Sequence, residues 1–281
     1  MILAAKVNEL KVSNWLCLIG MSNGFVFKEY LSYLVKSKGV HSIHSPFVFD
    51  FIQNVLHDTR TFYCYSEVEK LREKLLLLQE RIQMNDLGAG SRTSNSPTRS
   101  IRSIAEHAST PAKYAQLLFR LGVHYECKNI LELGTSLGLT TLYLSSTSKD
   151  CRVITIEGDE QIASKAQKHF DSLKRTNITL LNGSFEIELS KALEKSGKID
   201  LVYIDGNHRR ESTVNYFKQI LSFTHEKSIL IFGDIHWSKG MREAWKEIIS
   251  LQSVTATIDL FYLGIVFFRK ELSKQDFMIR W

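Results

Sequence analysis

The sequence predicts an α/β protein: a doubly wound, mostly parallel sheet preceded by an N-terminal helical extension. Three observations carry that expectation. From residue 129 onward, short apolar runs alternate with helical stretches, the pattern of right-handed crossovers between parallel strands covered on both faces. The first run, Ile130-Leu131-Glu132-Leu133, ends in a glycine turn, Gly134-Thr135-Ser136-Leu137-Gly138, that feeds a helix. Finally, the residues of chemical character in this half (Gly134, Glu157, Ser184, Asp205 and Asp234) all stand at the carboxyl ends of runs. Open parallel sheets bind their ligands at those ends.

The N-terminal elements come first. Phe25 to Val35 has the apolar pattern of an amphipathic helix, and Met21 just before it is a candidate for the true start of the chain. His41-Ser-Ile-His44-Ser-Pro46 breaks that helix; its histidines are either ligands for a substrate or metal, or ordinary polar groups of a loop. Phe47 to Leu56 is a second apolar segment. Glu67 to Met84 reads as a third helix, with Leu71, Leu75, Leu78 and Ile82 on one stripe that serves as core or as the seam of a homodimer. Residues 85–104 are rich in Ser, Gly and Asn and carry Arg92, Arg99 and Arg102, so they read as a mobile loop able to close over the sheet or meet an anionic substrate. The expected division is therefore an extension over 1–104 and a ligand-binding domain over 105–281.

Thr110-Pro111 opens a helix, Ala112 to Leu121, with proline well placed at its start. Strand and helix then alternate. The expected strands are Ile130–Leu133, Cys151–Ile156, Asn177–Leu181, Ile199–Ile204 and Ser228–Phe232, and the helices between them are Gln161–Lys174, Glu186–Lys195 and Glu211–Phe223.

Composition sets bounds on function. With 44% hydrophobic and 23% charged residues, and no apolar stretch near the ~20 residues of a membrane span, the chain reads as a globular protein without a membrane role. Cysteines 17, 64, 127 and 151 are scattered, with no C-x-x-C pair. That pattern argues for a reducing, cytoplasmic setting and against a disulfide framework. The net charge of +6 is spread out and lacks dense basic-aromatic patches, so nucleic acid is not the expected partner.

The glycine turn suits a nucleotide-like ligand, because glycines let the backbone approach where a side chain would collide. Its spacing departs from the dinucleotide fingerprint, with Ser136 where the middle glycine would stand. No Lys-Ser/Thr pair follows Gly138, which excludes a P-loop. Glu157, about twenty residues further on at the end of the second run, is placed to bridge the hydroxyls of a ribose.

In order, ILELGTSLG, VITIEGD, LLNGSF, IDLVYIDGNH and ILIFGDIHW resemble the class I S-adenosylmethionine-dependent methyltransferases. Within them the chain is most similar to the small-molecule O-methyltransferases related to catechol and macrolide-sugar enzymes. The resemblance spans roughly residues 105 to 270. It implies a Rossmann-like methyltransferase fold of seven strands whose last two form an antiparallel hairpin, fitted by Ser253–Asp259 and Phe261–Arg269. It also implies S-adenosyl-L-methionine as cofactor, with Glu132, Gly134, Thr135, Ser136 and Gly138 around its methionine part, Glu157 on the ribose, and Gly183, Ser184 and Phe185 toward the adenine. Ser184 stands where many members have an acid, and Phe185 is the residue expected to pack on the ring. Asp205 borders the same site.

Asp205 and Asp234 close adjacent strands, and two carboxylates in one cleft call for a cation or proton between them. Oxygen ligands of this kind suit magnesium or another hard divalent ion. In the metal-dependent relatives these positions match metal ligands, and the third ligand directly follows the second Asp; here that residue is Ile235. His236 is the expected third ligand, with Asn207 as the alternative. His208, in a D-x-x-H arrangement with Asp205, is either the general base, as imidazoles titrate near neutrality, or a helix cap. Asp234 is the base if no metal binds, and Trp237 walls the acceptor pocket or packs in the core. The expected function is methylation of a hydroxyl on a small molecule. The alternatives are an RNA or protein methyltransferase that recognises its substrate through the N-terminal region, and a cofactor-binding protein without catalysis.

Overall fold

The computed structural model describes residues 24–39, 43–83 and 98–281. Met21, Cys17, His41 and Arg92 lie outside the described residues, as does most of the expected loop over 85–104. The chain opens with helix α1 (Gly24–Lys36), then α2 (Pro46–Phe51), which runs straight into a wider-wound turn at Ile52–Leu56. Helix α3 (Tyr63–Leu77), a ribbon of β1 (Arg81–Gln83) and β2 (Thr98–Ser100), α4 (Ile101–His107) and α5 (Ala112–His124) follow. The regular alternation is β3 (Asn129–Leu133), α6 (Leu139–Leu144), β4 (Arg152–Glu157), α7 (Glu160–Ser172), β5 (Ile178–Asn182), α8 (Phe185–Ser196), β6 (Leu201–Ile204), α9 (Arg210–Leu221) and β7 (Ile229–Gly233). Helix α10 (Lys239–Ser250) and strands β8 (Ala256–Asp259), β9 (Leu263–Phe267) and β10 (Gln275–Met278) complete it.

Among the described residues, eight strands form the main sheet in the order β10-β8-β9-β7-β6-β3-β4-β5. Strands β5, β4, β3, β6 and β7 are parallel, while β9 runs antiparallel to both β7 and β8. The connections reverse direction between β3 and β6, so the switch point lies between the ends of those two strands. The expected hairpin is present, but the sheet has eight strands rather than seven. The added strand, β10, pairs in parallel with the edge of β8 and has only four residues, two polar then two apolar, so it carries no alternating pattern to announce it.

The two faces of the sheet are covered by different parts of the chain. On one, Val48, Phe51, Ile52, Val55, Leu117 and Leu121 pack against Ile130, Tyr203, Ile229, Ile258 and Phe267. On the other, Leu189, Leu193, Phe217, Ile220, Trp245 and Ile248 pack against Leu131, Val202, Leu230 and Val266. Neighbours such as Ile130 and Leu131 point to opposite faces, as a strand's period of two requires. The N-terminal α2 thus supplies part of the main core and shares it with the sheet.

Three local differences from expectation have physical causes. Helix α3 stops at Leu77 because Leu78 adopts an extended backbone, so Ile82 belongs to β1 instead. Of the Leu71–Ile82 stripe, Leu75 and Ile82 are buried with Cys64 and Val68, Leu71 packs at the margin of that cluster, and Leu78 is exposed. Residues 98–104, expected as loop, form β2 and the start of α4, with Ser100 capping the helix through the amide of Ser103. Helix α10 was unanticipated; Ser238 caps it and Met241, Ala244, Trp245 and Ile248 form its buried stripe. Among the described residues no helix is long and apolar enough to cross a membrane, and Cys64, Cys127 and Cys151 are free and buried.

Candidate active site

The turn after β3 is built around two positions that no side chain can occupy. Gly134 has φ +106° and a Cβ there would lie 2.3 Å from the carbonyl oxygen of Asp205; Gly138 has φ +82° and its Cβ would meet the Phe170 ring at 2.5 Å. Both amides at the start of the turn, Gly134 and Thr135, donate to the Ile156 carbonyl. Ser136, itself at φ +48°, donates its amide to Glu157 Oε2 at 2.8 Å, and the Asp159 amide donates to Glu157 Oε1 at 3.0 Å. Glu157 therefore ties the glycine turn to the end of β4. Each of its oxygens keeps a lone pair for a hydroxyl.

Glu132 lies under this turn with no exposed surface. Its Oε2 accepts the hydroxyls of Thr141 at 2.5 Å and Thr155 at 2.7 Å, and Thr135 joins the same group through Thr155. Burial pushes the Glu132 carboxyl up to about 8, against the pull of those two hydroxyls. Its Oε1 and the hydroxyl of Ser136 are buried without a partner. Buried polar atoms in native folds are normally satisfied, so a cradle with two unpaired atoms fits a ligand that brings polar groups of its own. The cradle and its chemistry fit the methionine end of S-adenosylmethionine.

Beyond β5, Gly183 (φ +156°) and Ser184 lead into α8, and Phe185 lies against Gly206, where a Cβ would come within 2.7 Å of its ring. Phe185 also meets Tyr216 edge-on at 5.6 Å. The Ser184 hydroxyl is engaged with Glu186, as are the Tyr216 hydroxyl at 2.5 Å and the Asn207 amide at 3.4 Å. Asn207 belongs to this network and not to the carboxylate pair.

Asp205 and Asp234 follow the paired strands β6 and β7 and do converge. His208 stands between them, its Nε2 4.0 Å from Asp205 Oδ1 and 3.9 Å from Asp234 Oδ2. Donor atoms of the three side chains all lie within 4.8 Å of one another. His236, expected as the third ligand, lies elsewhere. Its Nε2 is 2.8 Å from Asp259, its Nδ1 3.6 Å from Glu29, and its ring stacks on Phe261. The cause is the backbone: Asp234 takes φ +54°, which turns Ile235 into the core and carries His236 toward the β8–β9 turn. Asn207 (φ +64°) and His208 (φ +40°) are left-handed as well, so uncommon backbone conformations concentrate at this site. Two carboxylates and an imidazole could hold a divalent cation, and the imidazole favours ions softer than magnesium.

Thr110, Tyr203 and Tyr262 also border the acids and were not singled out from the sequence. Tyr203 donates to Asp205 Oδ2 at 2.7 Å, Thr110 to the same oxygen at 3.1 Å, and the Tyr262 carbonyl accepts the Asp234 amide. Burial, reinforced by the charges of Asp205 and Asp234, holds the Tyr262 phenol far above its ordinary range. Trp237 is half-buried, with its amide donating to the Asp234 carbonyl. His44 is exposed and outside the cluster.

Residues 131–235 match the family described as "Methyltransferase domain". A catechol O-methyltransferase from Niastella koreensis is 29% identical over 126 residues, which cover 44% of this chain and 55% of that protein, about half of its length. Among solved structures, a Podospora anserina methyltransferase bound to S-adenosylhomocysteine superposes with a TM-score of 0.57 at 11% identity, covering 81% of this chain and 97% of that one. An O-methyltransferase from Streptomyces achromogenes involved in tomaymycin synthesis, in complex with S-adenosylmethionine, superposes with a TM-score of 0.54 at 15% identity, covering 78% and 95%. Domain match and superpositions agree on a methyltransferase fold for this chain, and the curated relative that it resembles is an O-methyltransferase.

Proposed function

We propose that the protein transfers the methyl group of S-adenosylmethionine to a hydroxyl of a small molecule. One observation carries the reading: Asp205, His208 and Asp234 converge beside the glycine cradle, with the Asp205 backbone against Gly134 itself. A cofactor seated on Gly134–Gly138 would then have its methyl end directed at the acids.

Methyl transfer asks little covalent work of the protein. It needs the acceptor oxygen held in line with the methyl carbon, and it needs a destination for the hydroxyl proton. The oxygen forms its bond to the methyl carbon as the carbon–sulfur bond breaks and the electron pair returns to sulfur, leaving S-adenosylhomocysteine. His208 takes the proton at Nε2, and the two nearby carboxylates stabilise the resulting imidazolium. Glu157 holds the ribose hydroxyls, and Phe185 packs on the adenine.

A second reading is favoured by the closeness of the three donor atoms. In it Asp205, His208 and Asp234 are ligands to a divalent cation, with His208 completing the set instead of accepting the proton. Such a cation would orient the hydroxyl and lower its pKa.

The test is label transfer from methyl-tritiated S-adenosylmethionine to a panel of phenolic and sugar hydroxyls, with RNA and protein arms, each with and without EDTA. The proposal expects label in a small molecule. Label confined to RNA or protein overturns the acceptor class. Loss of transfer in EDTA supports the cation reading, and undiminished transfer supports His208 as the base.

A further inference from the structure

We propose that Tyr203, acting with Thr110, is a positioning residue that fixes Asp205 in its single working orientation. This rests on the reading of Asp205 as part of the reacting centre. Tyr203 and Asp205 are two residues apart on and just beyond β6, so their side chains share a face. The Tyr203 hydroxyl donates to Asp205 Oδ2 at 2.7 Å, and Thr110 Oγ1 reaches the same oxygen at 3.1 Å. The two hydroxyls are themselves 3.0 Å apart, closing a triangle. Two protons serve three contacts, and every way of sharing them leaves Oδ2 with at least one donor.

The consequence is directional. Oδ2 is held by the protein, while Oδ1 points to His208. Oδ1 is bounded on its other side by Gly233, where a Cβ would lie only 2.2 Å away. Tyr203 has no exposed surface and Thr110 is 3% exposed, so both donors are shielded from bulk water. Thr110 is anchored in turn by the N-terminal region: its carbonyl accepts Arg72 Nη2 at 3.1 Å, and Arg72 is paired with Glu69 at 2.9 Å. Helix α3 thereby reaches Asp205 through one intervening residue.

The test compares Tyr203→Phe, Thr110→Ala, the double variant and the conservative Thr110→Ser. Crystal structures read the Asp205 rotamer, calorimetry with Mn2+ alone reads the acid cluster, and calorimetry with S-adenosylhomocysteine reads the cradle. The expected result is an Asp205 side chain that leaves its orientation or splits into two in the double variant. Mn2+ affinity should fall by ~10-fold or more, the usual effect of losing a hydrogen bond behind a ligand. S-adenosylhomocysteine affinity should stay within about twofold, and Thr110→Ser should keep the wild-type values. An unmoved Asp205 overturns the proposal, and so does a loss of both affinities in step. Should the wild type bind no Mn2+, the cation reading fails while the Asp205 rotamer still decides the positioning role. If the double variant does not fold, the near-isosteric Tyr203→Phe is read by the same criteria.

Discussion

Gly233→Ala displaces Asp205 without altering its chemistry. Gly233 ends β7 outside the left-handed region, so its backbone accepts alanine without strain. The added Cβ would stand 2.2 Å from Asp205 Oδ1 and 2.9 Å from its Cγ, where ordinary contact begins near 3.4 Å. The carboxylate must therefore retreat by roughly 1 Å, and a misplacement of that size in a reacting group costs ~10²-fold in rate. That corresponds to about 3 kcal/mol of transition-state stabilisation, alongside ~1–3 kcal/mol of overpacking in stability. The assay is kcat/KM for label transfer to the best acceptor, with thermal midpoint and S-adenosylhomocysteine affinity as controls. A rate loss of ~10²-fold with cofactor affinity within twofold is the expected outcome. Full activity in the variant would show that Asp205 Oδ1 does not face the reaction.

Other outcomes follow from the same geometry. Asp205→Ala and Asp234→Ala should bind S-adenosylhomocysteine yet lose methyl transfer; wild-type turnover in either refutes its role. Glu132, with its folded pKa raised to about 8, contributes stability that is fully present below its ordinary value of 4.5 and is lost as pH rises through 8. The slope should approach ~1.4 kcal/mol per pH unit within that window. Glu132→Gln cannot ionise, so its denaturant midpoint should gain on the wild type between pH 5 and 8, and parallel pH profiles would contradict the burial argument. Phe51→Ala should destabilise by ~3–5 kcal/mol in urea unfolding, because α2 is part of the sheet's core. A change below 1 kcal/mol would mean that α2 is an appendage after all.

The parallel strands and the glycine turn were legible because their signals are local. Strands buried on both faces read as continuous apolar runs, and Gly134 and Gly138 stand at positions where only glycine fits. Helix α10 carries the same kind of local signal, with Met241, Ala244, Trp245 and Ile248 at helical spacing. The exchange of His236 for His208 was not legible. It depends on left-handed backbone at Asn207, His208 and Asp234, which spacing along the chain does not reveal. Thr110 and Tyr203 were hidden for a different reason: a threonine before a helix and a tyrosine inside a strand acquire meaning only when tertiary packing brings both hydroxyls to one carboxylate.

If the cradle between β3 and β4 holds S-adenosylmethionine, calorimetric titration with S-adenosylhomocysteine, with NAD as control, will show it. The expected result is micromolar binding of the homocysteine compound, at least ~10-fold weaker binding in Glu157→Ala from the loss of its hydrogen bonds to the ribose, and no heat from NAD. Equal binding by wild type and variant would remove Glu157 from the ribose site. No binding by the wild type would contradict the cradle's role itself.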